Sequence, residues 1–118
     1  MTKHNQKIGQ WGEEIASAFL QKQGYQLVDQ NLRTPYGEID LIVRRGEITV
    51  FVEVKTRTSA RYGYPEDSIN LRKQEHMLAA AEYYSQENEL SHWRIDAISV
   101  EGKPSKKEPK ITHFEDIL

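Results

Sequence analysis

Two short segments of alternating residues, joined by a turn, constrain the fold of this chain more than any other part of its sequence. Aliphatic residues occupy every second position in both segments: Ile39, Leu41 and Val43 in the first, and Val50, Val52 and Val54 in the second. The residues between the segments, Arg44-Arg45-Gly46-Glu47, are typical of a hairpin turn. Successive side chains of a strand point to opposite faces, so one face of this predicted hairpin is aliphatic and must lie on a core. The opposite face carries Asp40, Glu53 and Lys55.

The rest of the chain divides into elements that pack with this hairpin. Apolar spacing predicts, in order, a helix from about Lys7 to Gln23, a short strand from Tyr25 to Gln30, a helix from Asp67 or Ser68 to about Gln86, and strands at Trp93 to Val100 and Ile111 to Phe114. The resulting order is helix, three strands, helix, two strands. A chain of 118 residues is long enough for one core. We therefore expect a single α/β domain over residues 1–118, with a mixed central sheet flanked by two helices.

The composition excludes several classes of protein. The chain contains no cysteine, which rules out disulfide scaffolds, thiol catalysis and cysteine-bound zinc. Its formal net charge of −2 lacks the positive excess of a protein that holds nucleic acid by overall charge alone, so contact with phosphate requires a local patch or a metal ion. No apolar run approaches the roughly 20 residues of a membrane-spanning helix, and the first residues lack a secretion signal. We therefore expect a cytoplasmic protein without a membrane partner.

Two carboxylates on the charged face of the hairpin predict a metal site. A turn of about four residues is expected to place Asp40 across from Glu53, with roughly 5 Å between their Cβ atoms. Facing like charges destabilise a strand pair unless something compensates them, and Mg²⁺ or Mn²⁺ is the simplest compensation. Lys55 leaves the same face and could orient the attacking water or stabilise a transferring phosphoryl group. The set indicates metal-assisted phosphodiester hydrolysis, although the same alternation is also typical of a solvated sheet face on which Lys55 bridges the acids.

Two helical residues bear on this prediction. Glu13 lies at the edge of the apolar stripe of the first helix, among small residues that allow a close approach to the sheet. It can therefore point into the site, or it is an ordinary solvated charge. Lys73 falls within the apolar stripe of the second helix. Its ammonium either extends to the surface or pairs with a carboxylate or phosphate at the edge of the sheet.

The loop after Lys55 combines cationic and aromatic residues. Arg57 and Arg61 alternate with Tyr62 and Tyr64, so groups that bind phosphate and rings that stack on bases lie within a few residues. We expect Arg57, Arg61, Tyr62 and Lys73 to contact substrate. Several lysines of the late loop are weaker candidates and are also typical of a solvated loop: Lys103, Lys106, Lys107 and Lys110.

Several ordered motifs resemble one protein family over nearly the whole chain, from Lys7 to Val100. They are Gly9-x-x-Gly12-Glu13-x-x-Ala16, Asn31-x-Arg33, Gly37-Glu38-Ile39-Asp40-Leu41-Ile42, Phe51-Val52-Glu53-Val54-Lys55-x-Arg57, Gly63, Lys73, Ala81 and Arg94-Ile95-Asp96. Together they resemble the YraN-like family of the restriction-endonuclease-like PD-(D/E)XK superfamily. The residue before Asp40 is Ile39 rather than proline, and Ile95 replaces a family-typical phenylalanine.

The resemblance implies a core of a helix, three strands, a helix and a strand. It also implies that Asp40 and Glu53 are metal ligands and that Lys55 is the catalytic lysine. Glu13 then takes the place of the first-helix glutamate of archaeal Holliday junction resolvases, which this chain distantly resembles.

These observations favour a metal-dependent endonuclease that acts on DNA, including branched or recombination intermediates. The expected catalytic residues are Glu13, Asp40, Glu53 and Lys55, with Mg²⁺ or Mn²⁺ as the cofactor. One alternative is a catalytically silent nucleic-acid- or protein-binding module of the same fold, and another is a nuclease subunit that is active only with a partner protein. Cleavage of two symmetric strands favours a homodimer.

Overall fold

The computed structural model describes residues 3–58, 71–106 and 108–118. Within these ranges the chain forms two helices and five strands: α1 (Lys3–Lys22), β1 (Gln26–Thr34), β2 (Gly37–Arg45), β3 (Ile48–Arg57), α2 (Leu71–Glu87), β4 (Trp93–Glu101) and β5 (Lys110–Phe114). This order of elements confirms the predicted fold class. The expected cap of the second helix at Asp67 or Ser68 lies outside the described residues. No helix in the described ranges combines the length and the apolar character that a membrane crossing requires.

The five strands form one mixed sheet in the order β1-β2-β3-β4-β5. β3 and β4 are parallel and all other neighbours are antiparallel. Parallel neighbours need a long crossover, and the segment that contains α2 provides it. This topology brings the beginning of β2 and the last residues of β3 and β4 to the same end of the sheet, which we call the site end.

Each face of the sheet is covered by one helix. On one face, Ala16 and Leu20 of α1 pack on alternate residues of the three central strands: Leu41, Val43, Val50, Val52, Val54, Ile98 and Val100. On the other face, Ala80 and Ala81 of α2 pack on Ile42, Phe51 and Ile95. Phe51 is only 2% exposed. The face of the hairpin opposite its aliphatic row is therefore a second core, and not a solvated surface.

The hairpin differs from expectation in two details. Arg45 pairs with Ile48, so the turn consists of two residues, Gly46 and Glu47, and the expected four-residue turn is wrong. Gly46 has a φ of 62°, a backbone conformation that such two-residue turns require and glycine adopts without strain. Ile39 packs in the cluster under α2 rather than with Leu41 on the α1 face. At Ile39, β2 is paired with β1 alone, so the side-chain alternation of the hairpin no longer governs its position.

β1 is longer than the predicted strand from Tyr25 to Gln30. It is an edge strand whose side chains are mostly exposed, so hydrophobic alternation cannot mark its extent. Its second half is defined by antiparallel pairing with β2, which ends at the pair Thr34 and Gly37. The Thr34 hydroxyl donates to the Gly37 carbonyl and accepts from the Tyr36 N–H, which fixes the predicted turn at residues 34–37.

Candidate active site

The candidate site begins where β2 and β3 stop pairing. Their ladder ends at Leu41 and Val52, although β2 extends back to Gly37 and β3 continues to Arg57. Beyond this point, Asp40 Oδ2 accepts a hydrogen bond of 2.8 Å from the backbone N–H of Val54. A side-chain carboxylate therefore takes the bond that a strand carbonyl would accept in a continuous ladder, and this bond holds Asp40 at the site end.

Asp40 and Glu53 are brought together at this break. They would form the next pair in the register of the hairpin, as the sequence predicts. Burial raises the pKa of Asp40, and the charge of Glu53 raises it further, to about 8, against the opposing effect of the bond from Val54. The two carboxylates therefore do not both ionise easily at neutral pH without an added cation.

Two lysines contact Glu53 from different elements. Lys55 Nζ, from the same strand, lies 3.5 Å from Glu53 Oε1, and Lys73 Nζ, from α2, lies 3.2 Å from the same oxygen. The Glu53 side chain is only 12% exposed, so both ion pairs are partly shielded from solvent. Of the two positions that the sequence leaves open for Lys73, the structure shows the one paired with a carboxylate.

Glu13 approaches the same acids from α1. A Cβ atom at the neighbouring Gly12 would collide with the side chain of Thr56, so only glycine allows α1 to lie this close to β3. Burial raises the pKa of Glu13, the Asn31 side chain opposes this rise through a hydrogen bond, and the charges of Glu38 and Glu53 add to it. Glu13 is thus a partly buried member of the acidic group rather than a solvated helix charge.

The remaining predicted residues are less central in the described structure. Arg57 is the last residue of β3, two positions beyond Lys55, and its carbonyl accepts a bond of 2.9 Å from the Gly102 N–H. Arg61 and Tyr62 lie outside the described residues. The sequence analysis gave no role to Asn31. Its φ of 51° lies in the left-handed region, which asparagine tolerates better than most residues.

The donor set at this end of the sheet fits a hard divalent cation. Carboxylate oxygens are the ligands that Mg²⁺ and Mn²⁺ prefer, and Asp40 and Glu53 supply them from neighbouring strands. Burial and the charge of Glu53 raise the pKa of Asp40, and a bound divalent cation would oppose this rise by stabilising the ionised carboxylate.

A second group of titratable residues lies on the α1 face of the sheet. Ligand atoms of Asp96, His113 and Glu115 lie within 4.8 Å of one another. Arg94 already supplies a cation there, since its Nε donates to Asp96 Oδ1 over 2.9 Å and its guanidinium reaches Glu115 Oε1 at 3.2 Å. Sequence reasoning missed this group because its members are distant in the chain. Its geometry is that of an ion-pair network centred on the buried Asp96.

Hydrogen bonds keep Asp96 charged within that network. Burial alone would raise the pKa of this carboxyl, but bonds from His113, Arg94 and the backbone N–H of Asp116 outweigh burial and hold the pKa below its usual range. His113 Nε2 lies 2.7 Å from Asp96 Oδ2, and its ring packs edge-on against Phe19 of α1. The network therefore joins β4, β5 and α1 and serves the fold.

Comparison with known proteins identifies the family of this chain. The model of a family described as "Uncharacterised protein family UPF0102" matches residues 12–100. A UPF0102 protein of Syntrophotalea carbinolica is 39% identical over 116 residues, which cover 97% of this chain and 93% of the relative. The UPF0102 protein DehaBAV1_0707 of Dehalococcoides mccartyi is 38% identical over 120 residues, which cover 100% of this chain and 98% of the relative. The chain therefore belongs to the UPF0102 family, the YraN family that its motifs predicted.

Proposed function

We propose that this protein is a metal-dependent nuclease that hydrolyses phosphodiester bonds of DNA, including branched DNA such as recombination intermediates. The observation that supports this most is the meeting of Asp40 and Glu53 at a break in the sheet, with Lys55 beside them. Two carboxylates and a lysine at this spacing combine ligands for a divalent cation with a positive charge for a phosphoryl group.

Each residue has a distinct role in the proposed reaction. Asp40 and Glu53 would hold Mg²⁺ or Mn²⁺, which when bound polarises the scissile phosphate and lowers the pKa of water. The Lys55 ammonium stabilises negative charge on the phosphoryl oxygens. Glu13, with its raised pKa, accepts a hydrogen bond from the attacking water and orients it. Lys73 holds the Glu53 carboxylate in place through their ion pair.

A catalytically silent binding module is the second candidate function. The contact of both Lys55 and Lys73 with Glu53 favours it, because a carboxylate held by two ammonium groups can be a stable arrangement without a metal. The two candidates differ in their response to metal. The nuclease requires Mg²⁺ or Mn²⁺ for turnover, whereas a binding module retains nucleic acid in the presence of a chelator.

A cleavage assay separates these functions. Labelled single-stranded, duplex, flap and four-way-junction DNA would be incubated with Mg²⁺, Mn²⁺ or chelator, comparing wild type with Asp40→Asn and with Glu47→Gln, which removes an exposed acid from the hairpin turn. We expect metal-dependent cleavage that Asp40→Asn abolishes and Glu47→Gln preserves. Binding without cleavage would favour the module. Absence of both would point to a required partner protein.

The number of copies that act together can be tested on the same substrates. Two active sites related by symmetry can cut the two strands of a four-way junction at equivalent positions, so we propose that a homodimer forms on this substrate. Light scattering of the protein with and without the junction measures the mass of the complex. A single copy bound to a symmetrically cleaved junction would contradict the dimer.

A further inference from the structure

The segment that follows β4 lies beside the candidate active site. β3 and β4 are parallel, and Arg57 at the end of β3 pairs with Glu101 at the end of β4. The Gly102 N–H then donates a hydrogen bond of 2.9 Å to the Arg57 carbonyl. Since a strand rises about 3.3 Å per residue, this bond lies roughly 7 Å along the sheet from Lys55.

The base of this segment is fixed by packing. Gly102 has a φ of 152°, and a Cβ atom there would lie 3.1 Å from Pro109 Cα and 3.8 Å from the ring of Trp11. Gly102 and Pro109 therefore close the base of the loop between β4 and β5, against the residue of α1 that precedes Gly12. A turn within the loop is marked by the bond from the Lys106 N–H to the Lys103 carbonyl, at 3.1 Å.

Among the described residues, three lysines lie in this loop and at the start of β5. Lys103, Lys106 and Lys110 are exposed, and none of them forms an ion pair with a carboxylate in the part of the chain that the structure describes. Glu101 is the strand partner of Lys110 and offsets its charge. The exposed Glu108 forms no ion pair within that part, so the positive charge of the described loop rests on Lys103 and Lys106. Lys55 differs from these lysines, because its ammonium contacts the Glu53 carboxylate.

We propose that Lys103 and Lys106 bind the phosphate backbone of a duplex DNA arm and hold it against the site end of the sheet. This inference rests on the proposed function and identifies the surface on which its substrate lies. The loop begins within about 10 Å of Lys55, which corresponds to roughly three base pairs of duplex. The base of this loop is packed, and its exposed ammonium groups lack carboxylate partners among the described residues. Such groups can contact DNA phosphates of any sequence.

The test measures how binding depends on salt. The loop variant, Lys103→Gln with Lys106→Gln, removes two positive charges from the loop. The control pair, Lys22→Gln with Arg44→Gln, removes two positive charges from the opposite end of the molecule, where Arg45 donates to the Gln23 carbonyl. Anisotropy of labelled duplex and four-way-junction DNA would be recorded between about 50 and 200 mM salt, with Ca²⁺ in place of Mg²⁺. Hydrolysis of the p-nitrophenyl ester of thymidine 5′-monophosphate with Mn²⁺ reports the chemistry without an extended backbone.

We expect the loop variant to reduce the slope of log affinity against log salt by about 1.8, which is two released counterions at about 0.9 each. Across that salt range, wild type then loses about tenfold more affinity than the loop variant. Ester hydrolysis and the control pair should match wild type. A loop variant with the wild-type slope, or a control pair with an equal loss, would overturn the proposal. Failure of the proposed function gives a different result. Wild type would then hydrolyse neither DNA nor the ester, and the dependence of its DNA affinity on salt could still be measured.

Discussion

The backbone N–H of Val54 donates to the Asp40 carboxylate at the point where β2 and β3 part. A proposed metal ligand is thereby held by the strand that also carries Glu53 and Lys55. The bond lowers the pKa of Asp40, yet burial and Glu53 still raise it to about 8. Ionising Asp40 in the folded protein therefore costs stability, and this has consequences for the pH dependence of folding and for the proposed metal site.

Asp40→Asn should stabilise the metal-free protein while abolishing cleavage. The raised pKa of Asp40 means that the folded state holds a proton that the unfolded chain releases, so stability falls as the pH rises from about 4 to about 8. Asparagine keeps the bond from Val54 and removes the charge. We expect a gain on the order of 2 kcal/mol at pH 8, or about 5 °C in Tm, in chelator.

Thermal unfolding at several pH values, with and without Mg²⁺, checks this. Mg²⁺ should raise the Tm of wild type and leave that of Asp40→Asn unchanged. A variant less stable than wild type at pH 8 in chelator would contradict the proposed repulsion between Asp40 and Glu53.

Lys55→Met should remove cleavage and spare the fold. The substitution keeps an apolar side chain of similar length on β3 but deletes the charge that we propose acts on the phosphoryl group. We expect a loss of about 100-fold or more in the cleavage rate at saturating DNA, since a preorganised charge at the reacting group contributes several kcal/mol. Single-turnover cleavage measures the rate, and Lys22→Met is the matched control. Wild-type rates for Lys55→Met would remove this lysine from the catalytic set.

Gly12→Ala should destabilise the protein and displace Glu13. The added methyl group meets the Thr56 side chain, and overpacking of this kind costs about 1–3 kcal/mol. Gly9→Ala is the matched control, because no atom lies within 4 Å of a Cβ at that position and alanine favours the helix.

Urea unfolding and cleavage assays measure both effects of Gly12→Ala. Thr56→Ala in the same chain should restore part of the stability, because it removes the atoms nearest to the added methyl group. Equal stability of Gly12→Ala and Gly9→Ala would show that the close approach of α1 to β3 is not required.

Asp96→Asn should weaken the fold without touching the proposed metal site. Breaking this buried pair leaves Arg94 with only the exposed Glu115 as a carboxylate partner, at a cost of about 3 kcal/mol. The lowered pKa of Asp96 means that its contribution is present above about pH 4 and is lost as the pH falls below that value. Urea unfolding from pH 3 to 7 should therefore show an acid-dependent loss in wild type that the variant lacks. Titration calorimetry should find the same Mg²⁺ stoichiometry in both proteins, and a lost metal ion would reassign Asp96 to a metal site.

Much of the fold and the core of the candidate site follow from periodicity. Alternation with a period of two places Asp40, Glu53 and Lys55 on one side of a hairpin, and the structure brings their side chains together as predicted. The break between β2 and β3 does not follow, because it depends on which strand each backbone group pairs with. The length of β1 could not be predicted either, because an exposed edge strand shows no hydrophobic alternation. The Asp96 and His113 contact joins strands that only the tertiary structure makes neighbours.

The parallel pairing of β3 and β4 gives the site an order of assembly. Asp40 and Glu53 belong to a local hairpin, which a chain forms within microseconds. Lys73 belongs to the crossover, and it reaches Glu53 only when α2 docks and β4 closes on the far side of β3, a slower non-local step. We therefore expect the two acids to meet during folding before the crossover lysine arrives. The burial that raises the pKa of Asp40 also comes only with this later packing, so we expect the complete centre only in a chain that has folded through β4.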